Sequence, residues 1–315
     1  MTTEETGQIC AFDKLLKRNV PHILENIFFS LDFTSLRVCR EVCTNWKDLM
    51  ASDRYQNKLL EIKERETELC ISSIGGDAKK VNKLLSMGAD PNCTRQDGST
   101  FGHGDTPLCL AVKRGHKDVV KLLLNAGAKP NKVDKDGRTP LYWPSYNNYK
   151  DVVQILLNGG ADPNVTNTWG ESPLYRSADR GHTDVVQVLL NGGADPNVTN
   201  KWGETPLHVS ARYGHKDVVQ LLLNSGADTN EVDAYGQTPL TKLLLHQGAF
   251  PNYYKPGEAA MIGHSDVVEA LLEGGADPNK VNERGQAPIQ IATKYGNLDV
   301  FQILINAGAE PKYRS

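Results

Sequence analysis

The sequence repeats itself with a period of 33 residues, and this period constrains the fold more than any other feature. A Thr/Ser-Pro-Leu triplet recurs five times in register, beginning at Thr106, Thr139, Ser172, Thr205 and Thr238. Fixed periods of about 20–50 residues are typical of solenoids, in which each unit packs only against its neighbours. The repeat therefore predicts an elongated array rather than one packed globule.

Two degenerate copies of the triplet extend the array at its ends. Ala287-Pro288-Ile289 follows Thr238 after 49 residues, and Thr67-Glu68-Leu69 precedes Thr106 by 39 residues. The first spacing indicates an irregular sixth unit, and the second a longer connection within residues 98–105. We therefore expect about seven units over residues 67–315.

One unit shows how the repeat should fold. Thr205 can accept a hydrogen bond from the first helical turn, and Pro206 suits the next position because its missing N–H has no partner there. Gly214 suits a left-handed residue after the first helix. Asp217 is expected to open a second helix near the positive end of its dipole, and Gly226 to close it. The unit thus predicts two antiparallel helices followed by a projecting hairpin or loop.

The unit pattern GxTPLxxAxxxGHxDVVxLLLxxGADPN resembles the ankyrin repeat. Gly-His pairs recur at one position of the unit, with their histidines at His116, His182, His215 and His264. We interpret these histidines as polar groups that form hydrogen bonds with backbone groups at the turn between helices. The resemblance implies an all-α solenoid with projecting hairpin or loop fingers, whose groove binds proteins.

Two units depart from this pattern. In the third unit, Pro144 lies inside the expected first helix, where it removes a hydrogen bond and should distort the helix. The sixth unit is irregular around residues 241–258, with a helix expected up to Gln247. Its sequence fits either one unit with an insertion or two units fused by a deletion. The residues do not distinguish between these alternatives.

The N-terminal segment follows a different pattern. Residues 1–17 are polar and expected to be disordered, whereas residues 18–57 place apolar side chains at helical spacing in three short stretches. The string Ile23-Leu24-x-x-Ile27-Phe28-x-x-Leu31, continued to Trp46 and Leu49, resembles the F-box motif. Residues 58–66 continue a charged stretch that starts at residue 53 and is expected to form a connecting helix into the array.

The F-box resemblance implies docking on the small adaptor of cullin–RING ubiquitin ligases, with the ankyrin groove capturing a protein target. The residues that this assigns to the adaptor are Pro21, Ile23, Leu24, Ile27, Phe28, Leu31, Leu36, Val42 and Trp46. Such a receptor carries out no chemistry, because it holds a target near a ubiquitin-loaded enzyme and supplies effective concentration and orientation.

Target-binding residues are expected where large side chains occupy repeat positions that the scaffold does not require. The position before the finger glycine holds Asp136, Trp169, Trp202, Tyr235 and Arg284. We call these five residues the ladder. They would either bind a partner or stack on one another. The first helices and the sixth-unit loop add Arg138, Tyr142, Tyr175, Arg180, Arg212, Tyr213, Tyr295, Phe250, Tyr253 and Tyr254.

Other classes of function lack sequence support. The chain has 35 basic and 38 acidic side chains and a formal charge of -3, without the basic surplus that nucleic-acid binding favours. The sequence contains no phosphate-binding loop, no two pairs of metal ligands at the spacing of a zinc site, and no motif of a catalytic nucleophile. We therefore expect no enzyme activity, metal or cofactor. No secretory signal or membrane span is expected, which favours the cytosol or nucleus, and the chain is expected to be a monomer within a complex.

A second hypothesis remains beside the ligase receptor. The chain could be an ankyrin scaffold or inhibitory binding protein whose N-terminal helices cap the array without touching a ligase. The lead Asn19-Val20-Pro21-His22, with its proline one position late and no acid, favours this alternative. The register from Ile23 to Leu49 favours the receptor.

Overall fold

The computed structural model describes residues 53–94, 105–249 and 264–311. These residues form fourteen helices and no strand, which confirms the all-α solenoid. The expected disordered N-terminus, the F-box-like residues from Pro21 to Trp46, the connection at residues 98–104 and the loop residues Phe250, Tyr253 and Tyr254 lie outside the described residues.

The helices follow the chain in pairs and belong to two compact units, residues 1–129 and 130–315. The first unit contains α1 (Asp53–Gly75), α2 (Ala78–Ser86), α3 (Pro107–Lys113) and α4 (Lys117–Asn125). The second contains α5 (Tyr142–Tyr146), α6 (Lys150–Asn158), α7 (Pro173–Asp179), α8 (Thr183–Asn191), α9 (Pro206–Arg212), α10 (Lys216–Asn224), α11 (Pro239–Ala249), α12 (Ser265–Glu273), α13 (Pro288–Tyr295) and α14 (Leu298–Asn306). None of these helices is long and apolar enough to span a bilayer.

The first helices begin as the triplets predict. The Ser172 hydroxyl accepts a hydrogen bond from the Tyr175 N–H at 3.1 Å, and Pro173 is the first helical residue. Thr205 and Pro206 do the same for α9. The leucine of each triplet then points into the core, where Leu141, Leu174, Leu207 and Leu240 are fully buried. Each such leucine stabilises the array by roughly 2 kcal/mol.

The second helices start one residue earlier than expected. Helix α10 begins at Lys216 after His215, so Asp217 lies inside its first turn rather than opening it. The acidic side chain still lies near the positive end of the helix dipole. Val218, Val219 and Leu222 form the buried face of α10, which packs between α8 and α12.

Pro144 distorts the first helix of the third unit, as predicted. Helix α5 contains only five residues and begins at Tyr142, three residues after Thr139, because the ring of Pro144 cannot donate a bond to the preceding turn. Asn148 adopts a left-handed conformation with φ of 62° at the position where other units have glycine. Asparagine tolerates this region better than most residues, so the turn between helices survives.

Helix α1 runs without interruption for 23 residues. Thr67, expected to begin a degenerate repeat, lies in its interior rather than at a helix start. The triplet there lacks the proline that marks the first helical position elsewhere, and nothing breaks the preceding charged stretch. Ile62, Leu69 and Cys70 supply its buried face, and it packs on α2 and α3.

The described helices of the sixth unit form one pair, which both an insertion and a fusion of two units by a deletion allow. In regular units, the finger asparagine bonds to a glycine carbonyl 29 residues onward, as Asn197 does to Gly226 at 3.1 Å. Asn230 makes the same bond at 3.0 Å to Gly275, 45 residues onward. The bond between neighbouring fingers is therefore kept across the longer sixth unit, and α11 and α12 occupy one place in the array between their neighbours. Helix α11 extends to Ala249, two residues beyond the expected end.

Candidate functional site

The ladder residues are held at the tips of the fingers by side-chain turns. In the fourth unit, the Asn167 side-chain oxygen accepts hydrogen bonds from the N–H groups of Trp169 at 2.9 Å and Glu171 at 3.0 Å. Gly170 completes the turn with φ of 77°. Asn200 holds Trp202 and Asp233 holds Tyr235 in the same way. The finger sequence thus fixes one ladder side chain in each repeat.

Backbone bonds fix the register between consecutive fingertips. The Thr168 N–H donates to the Asp136 carbonyl at 2.9 Å, and the Lys201 N–H donates to the Trp169 carbonyl at 2.9 Å. Ala234 repeats the bond to Trp202 at 2.8 Å. The ladder residues Asp136, Trp169 and Trp202 are therefore each bonded to the residue that precedes the next ladder residue.

The three aromatic ladder residues are exposed and are not stacked. Trp169 is 41% exposed, Trp202 45% and Tyr235 57%. Among the described residues, the ring pairs are confined to Tyr142 with Trp143, Trp143 with Tyr146, and Tyr213 with His215 and His246. Mutual stacking therefore does not account for the aromatic ladder in this structure.

Two of these tryptophans border an open groove in the second unit. Its volume is about 400 Å³. The residues that line it come from the fingers and first helices of the third to fifth units: Arg138, Tyr142, Trp143, Tyr146, Trp169, Glu171, Arg176 and Trp202. Aromatic side chains make up most of this wall, as is usual for a binding groove with few polar groups.

Arg138 is fixed at one end of the groove by rings and carboxylates. Its guanidinium lies 5.1 Å from the Trp143 ring centre and 5.9 Å from that of Trp169. It also pairs with Asp136 and with Asp134, whose carboxylate lies 3.5 Å from Nε. Cation–π and ionic contacts together hold the side chain in one position.

Arg176 is the second fixed cation. Its Nε donates to the Tyr142 hydroxyl at 3.1 Å, and its Nη1 lies 3.6 Å from Glu171 and 3.4 Å from Asp179. The guanidinium lies 5.3 Å from the centre of the Tyr146 ring. Each of the two arginines therefore lies against aromatic rings of the groove.

A buried carboxylate network joins the fourth, fifth and sixth units. Glu204 accepts from the Tyr175 hydroxyl at 2.9 Å and pairs with Lys242 at 2.8 Å and Arg212 at 3.2 Å. Burial alone would raise the pKa of Glu204, but the bonds from Lys242, Asn200 and Tyr175 and the Lys242 charge lower it to about 2. Glu204 is therefore ionised in the folded chain, and the network is a structural brace.

The repeated histidines bond to the unit before their own. Nε2 of His116 lies 2.9 Å from the Ile74 carbonyl, that of His182 2.9 Å from the Tyr146 carbonyl, and that of His215 3.2 Å from the Asp179 carbonyl. A carbonyl only accepts, so Nε2 carries the proton in each case. The expected structural role is confirmed for these three residues, and it connects repeats rather than the two helices of one repeat.

The remaining predicted target residues differ in how accessible they are. Tyr142 and Tyr175 are 6% and 4% exposed, and both hydroxyls have partners within the chain. Arg180 contacts the Tyr146 ring, at 4.2 Å from its centre. Tyr213 and Arg284 are exposed and Tyr295 is half-buried. Their role in target binding stays a prediction.

Sequence reasoning missed four groove residues: Trp143, Tyr146, Glu171 and Arg176. The first two had a signal, since the third unit carries aromatic side chains at two positions where the neighbouring units have none. Arg176 and Glu171 had none, because an arginine one turn into a short helix looks like an exposed charge until its neighbours are placed.

The described residues contain no cluster of side chains suited to a metal ion. Their cysteines, Cys70, Cys93 and Cys109, are buried and reduced. Burial also raises the pKa of Cys109, which opposes formation of a thiolate nucleophile.

Comparison with known families agrees with this architecture. The model for ankyrin repeats in three copies matches residues 69–167, 151–233, 174–249 and 234–315, which is more than half of the sequence. The chain belongs to the ankyrin-repeat family. The F-box domain model matches residues 19–57 of this ankyrin-repeat protein, so the chain combines an N-terminal F-box with an ankyrin array.

Solved structures of ankyrin-repeat proteins share the fold. An ankyrin repeat domain from Acinetobacter baumannii AYE is 26% identical, with a TM-score of 0.59, and the match covers 65% of this chain and 98% of that one. A second ankyrin repeat protein is 27% identical, with a TM-score of 0.56, and the match covers 63% and 96%. No curated protein matches this chain.

Proposed function

We propose that this ankyrin-repeat protein is a substrate receptor of a cullin–RING ubiquitin ligase. The F-box domain at residues 19–57 docks the ligase adaptor, and the ankyrin groove captures a protein target. The combination of these two interaction domains in one chain is the observation that carries the proposal. The receptor supplies effective concentration and orientation, and other subunits carry out ubiquitin transfer.

The connection between the two domains supports this role. Helix α1 begins at Asp53, inside the F-box match, and continues to Gly75 in the first repeat. A continuous helix rises about 1.5 Å per residue and is stiff, whereas a flexible linker has no fixed direction. The end of the F-box match and the first repeat are therefore joined by a helix rather than by a flexible linker.

The place of action follows from the partner. Adaptor and ligase work in the cytosol and nucleus, where thiols such as Cys70 and Cys93 remain reduced. The receptor is expected to be a monomer within the assembled ligase and to need no cofactor.

The deciding experiment is co-purification of the full chain with the ligase adaptor. The wild type should bind with one-to-one stoichiometry, and the double variant Leu24→Asp/Leu31→Asp should lose binding, because charges replace apolar side chains of the F-box motif. Trp169→Ala, at the groove, is the matched control and should bind the adaptor normally. Absence of binding by folded wild type would favour the ankyrin scaffold without a ligase, the alternative that the Asn19–His22 lead supports.

A further inference from the structure

The charges that line the groove are already neutralised within the chain. Arg138 is paired with Asp134 and Asp136, and Arg176 with Glu171 and Asp179. A strongly acidic or basic partner would have to displace one of these carboxylates or guanidiniums, and would lose part of what it gained. The groove therefore favours a partner segment without charge.

Aromatic faces and N–H donors remain available. The rings of Trp169 and Trp202 are among the most exposed large apolar groups of the second unit. Within the described residues, neither indole N–H has a hydrogen-bond acceptor, and both side chains border the groove. The free groups are thus apolar surface and donors, whereas the carboxylate acceptors nearby are occupied.

Proline complements such a surface. It lacks a backbone N–H and so demands no acceptor, while its carbonyl and that of the preceding residue can accept from an indole. Its ring packs flat against an aromatic face, and proline-rich segments adopt an extended polyproline II helix before binding, which lowers the entropic cost of association. Aromatic-lined grooves commonly bind peptides in this conformation.

The general spacing of stacked helices suits this conformation. Helices of adjacent repeats pack about 8–10 Å apart, and the fingertip bonds keep Trp169 and Trp202 at equivalent places one repeat apart. A polyproline II helix has three residues per turn and rises about 3.1 Å per residue, so the same face recurs every 9 Å or so. A β-strand returns to one face after about 6.6 Å, which does not match.

We propose that the groove binds a neutral, proline-rich segment of the target in the polyproline II conformation. A proline at every third position packs against Trp169, then Trp202, and then the ring of Tyr235. The inference rests on the proposed function, since it names the class of target that the receptor captures.

The test uses the full chain, labelled with ¹⁵N, and three neutral dodecapeptides with blocked ends. The first has prolines at positions 1, 4, 7 and 10, and alanine or glutamine elsewhere. The second has the same composition with prolines at alternate positions, and the third replaces the spaced prolines of the first with alanine. Binding is followed through the indole N–H signals, of which the four tryptophans give one each, assigned with Trp→Phe variants.

We expect the first peptide to shift the signals of Trp169 and Trp202 and to bind about tenfold more tightly than the other two. Trp169→Ala and Trp202→Ala should each weaken binding about fivefold or more. Leu298→Ala, which truncates an 80% exposed side chain away from the ladder, should leave affinity unchanged. Circular dichroism of each variant confirms that it is folded, and the Trp→Phe variants, which keep a ring but lose the N–H, give an intermediate effect.

Three results would overturn the inference. These are equal affinity for all three peptides, binding that leaves both indole signals in place, and tighter binding of a version with glutamate or arginine at the proline positions. Adaptor co-purification is unaffected by any of them. Failure of the peptide test with intact adaptor binding thus rejects the proline-rich partner alone, whereas loss of adaptor binding rejects the ligase function alone.

Discussion

The imidazole of His215 lies directly against Gly181, the corresponding glycine of the preceding repeat. A Cβ on residue 181 would lie 2.7 Å from Nδ1 of that ring, while Nε2 bonds to the Asp179 carbonyl at 3.2 Å. In the Gly-His pair, the histidine thus contacts the preceding repeat, and the glycine is the position that a histidine of the following repeat can contact. His116 packs on Gly76 of the unit before it in the same way.

Gly181→Ala is expected to destabilise the array more than Gly193→Ala. Both glycines have a positive φ, of 69° and 87°, so alanine costs about 1 kcal/mol at either site. At Gly193 no atom lies within 4 Å of the added carbon, whereas at Gly181 the ring must move and its bond weakens. We expect a further loss of about 1–2 kcal/mol there. Urea denaturation of both variants measures the difference, and equal losses would contradict the contact.

Lys242→Met is expected to cost about 3 kcal/mol of unfolding free energy. The ammonium lies 2.7 Å from Asp233 and 2.8 Å from Glu204, whose side chains are 0% and 8% exposed, so its removal leaves buried carboxylate charge. Lys216→Met is the matched control, because its pair with Asp266 is exposed and 3.8 Å long. We expect that control to change stability by less than about 0.5 kcal/mol. Similar losses in the two variants would show that the buried network is not a brace.

Glu66→Gln is expected to raise the melting temperature at pH 8 but not at pH 4. Burial, with a smaller contribution from the Asp90 charge, raises the pKa of Glu66 from 4.5 to about 7. Between these values the unfolded chain has lost the proton that the folded chain retains, so stability falls as pH rises, and the full penalty is present above pH 7. Glutamine stays neutral and avoids it.

Thermal unfolding of wild type and Glu66→Gln from pH 4 to pH 8 checks this trend. Glu64→Gln, an exposed position in the same helix, should follow the wild type throughout. A constant difference between Glu66→Gln and wild type over the range would mean that Glu66 ionises alike in both states.

Cys70, Cys93 and Cys109 are expected to resist alkylation in the folded chain. The Sγ atoms of Cys70 and Cys93 lie 3.9 Å apart in the core. The hydrogen bond between them, together with burial, raises the pKa of Cys93. Since the thiolate is the reactive species, iodoacetamide at pH 8 should label the three only after unfolding in urea. Mass spectrometry of the cysteine peptides measures this, and rapid labelling of the native chain would contradict the packing.

The sequence predicted most of the local structure because its signals act over short distances. Thr205 and Pro206 start a helix through contacts within one turn, and Pro144 distorts one by the same local sterics. The errors were local too. Asp217 was placed at a helix start that Lys216 occupies, because helix boundaries depend on a hydrogen bond between turns. Thr67 resembled a repeat start, but without the proline the upstream helix simply continues.

The groove was only half predictable. The finger position of Trp169 and Trp202 follows from counting 33 residues, since equivalent positions in a solenoid align. Arg176 gave no such signal, because its significance lies in Tyr142, 34 residues earlier. Tyr175 looked like a contact residue, yet its hydroxyl bonds to Glu204 of the next repeat. Such hydrogen bonds join different repeats, so the sequence of one repeat alone does not reveal them.

The sequence by itself determined the solenoid, its 33-residue period, the Ser/Thr-Pro starts of α7 and α9 and the line of aromatic residues along its fingers. All of these depend on interactions within one repeat or on the constancy of its length. The tertiary structure alone decided which side chains are paired within the chain and which remain exposed for a partner. Arg176 reaches the Tyr142 hydroxyl and Lys242 reaches Glu204 only when neighbouring repeats stack, whereas the rings of Trp169 and Trp202 remain partly exposed.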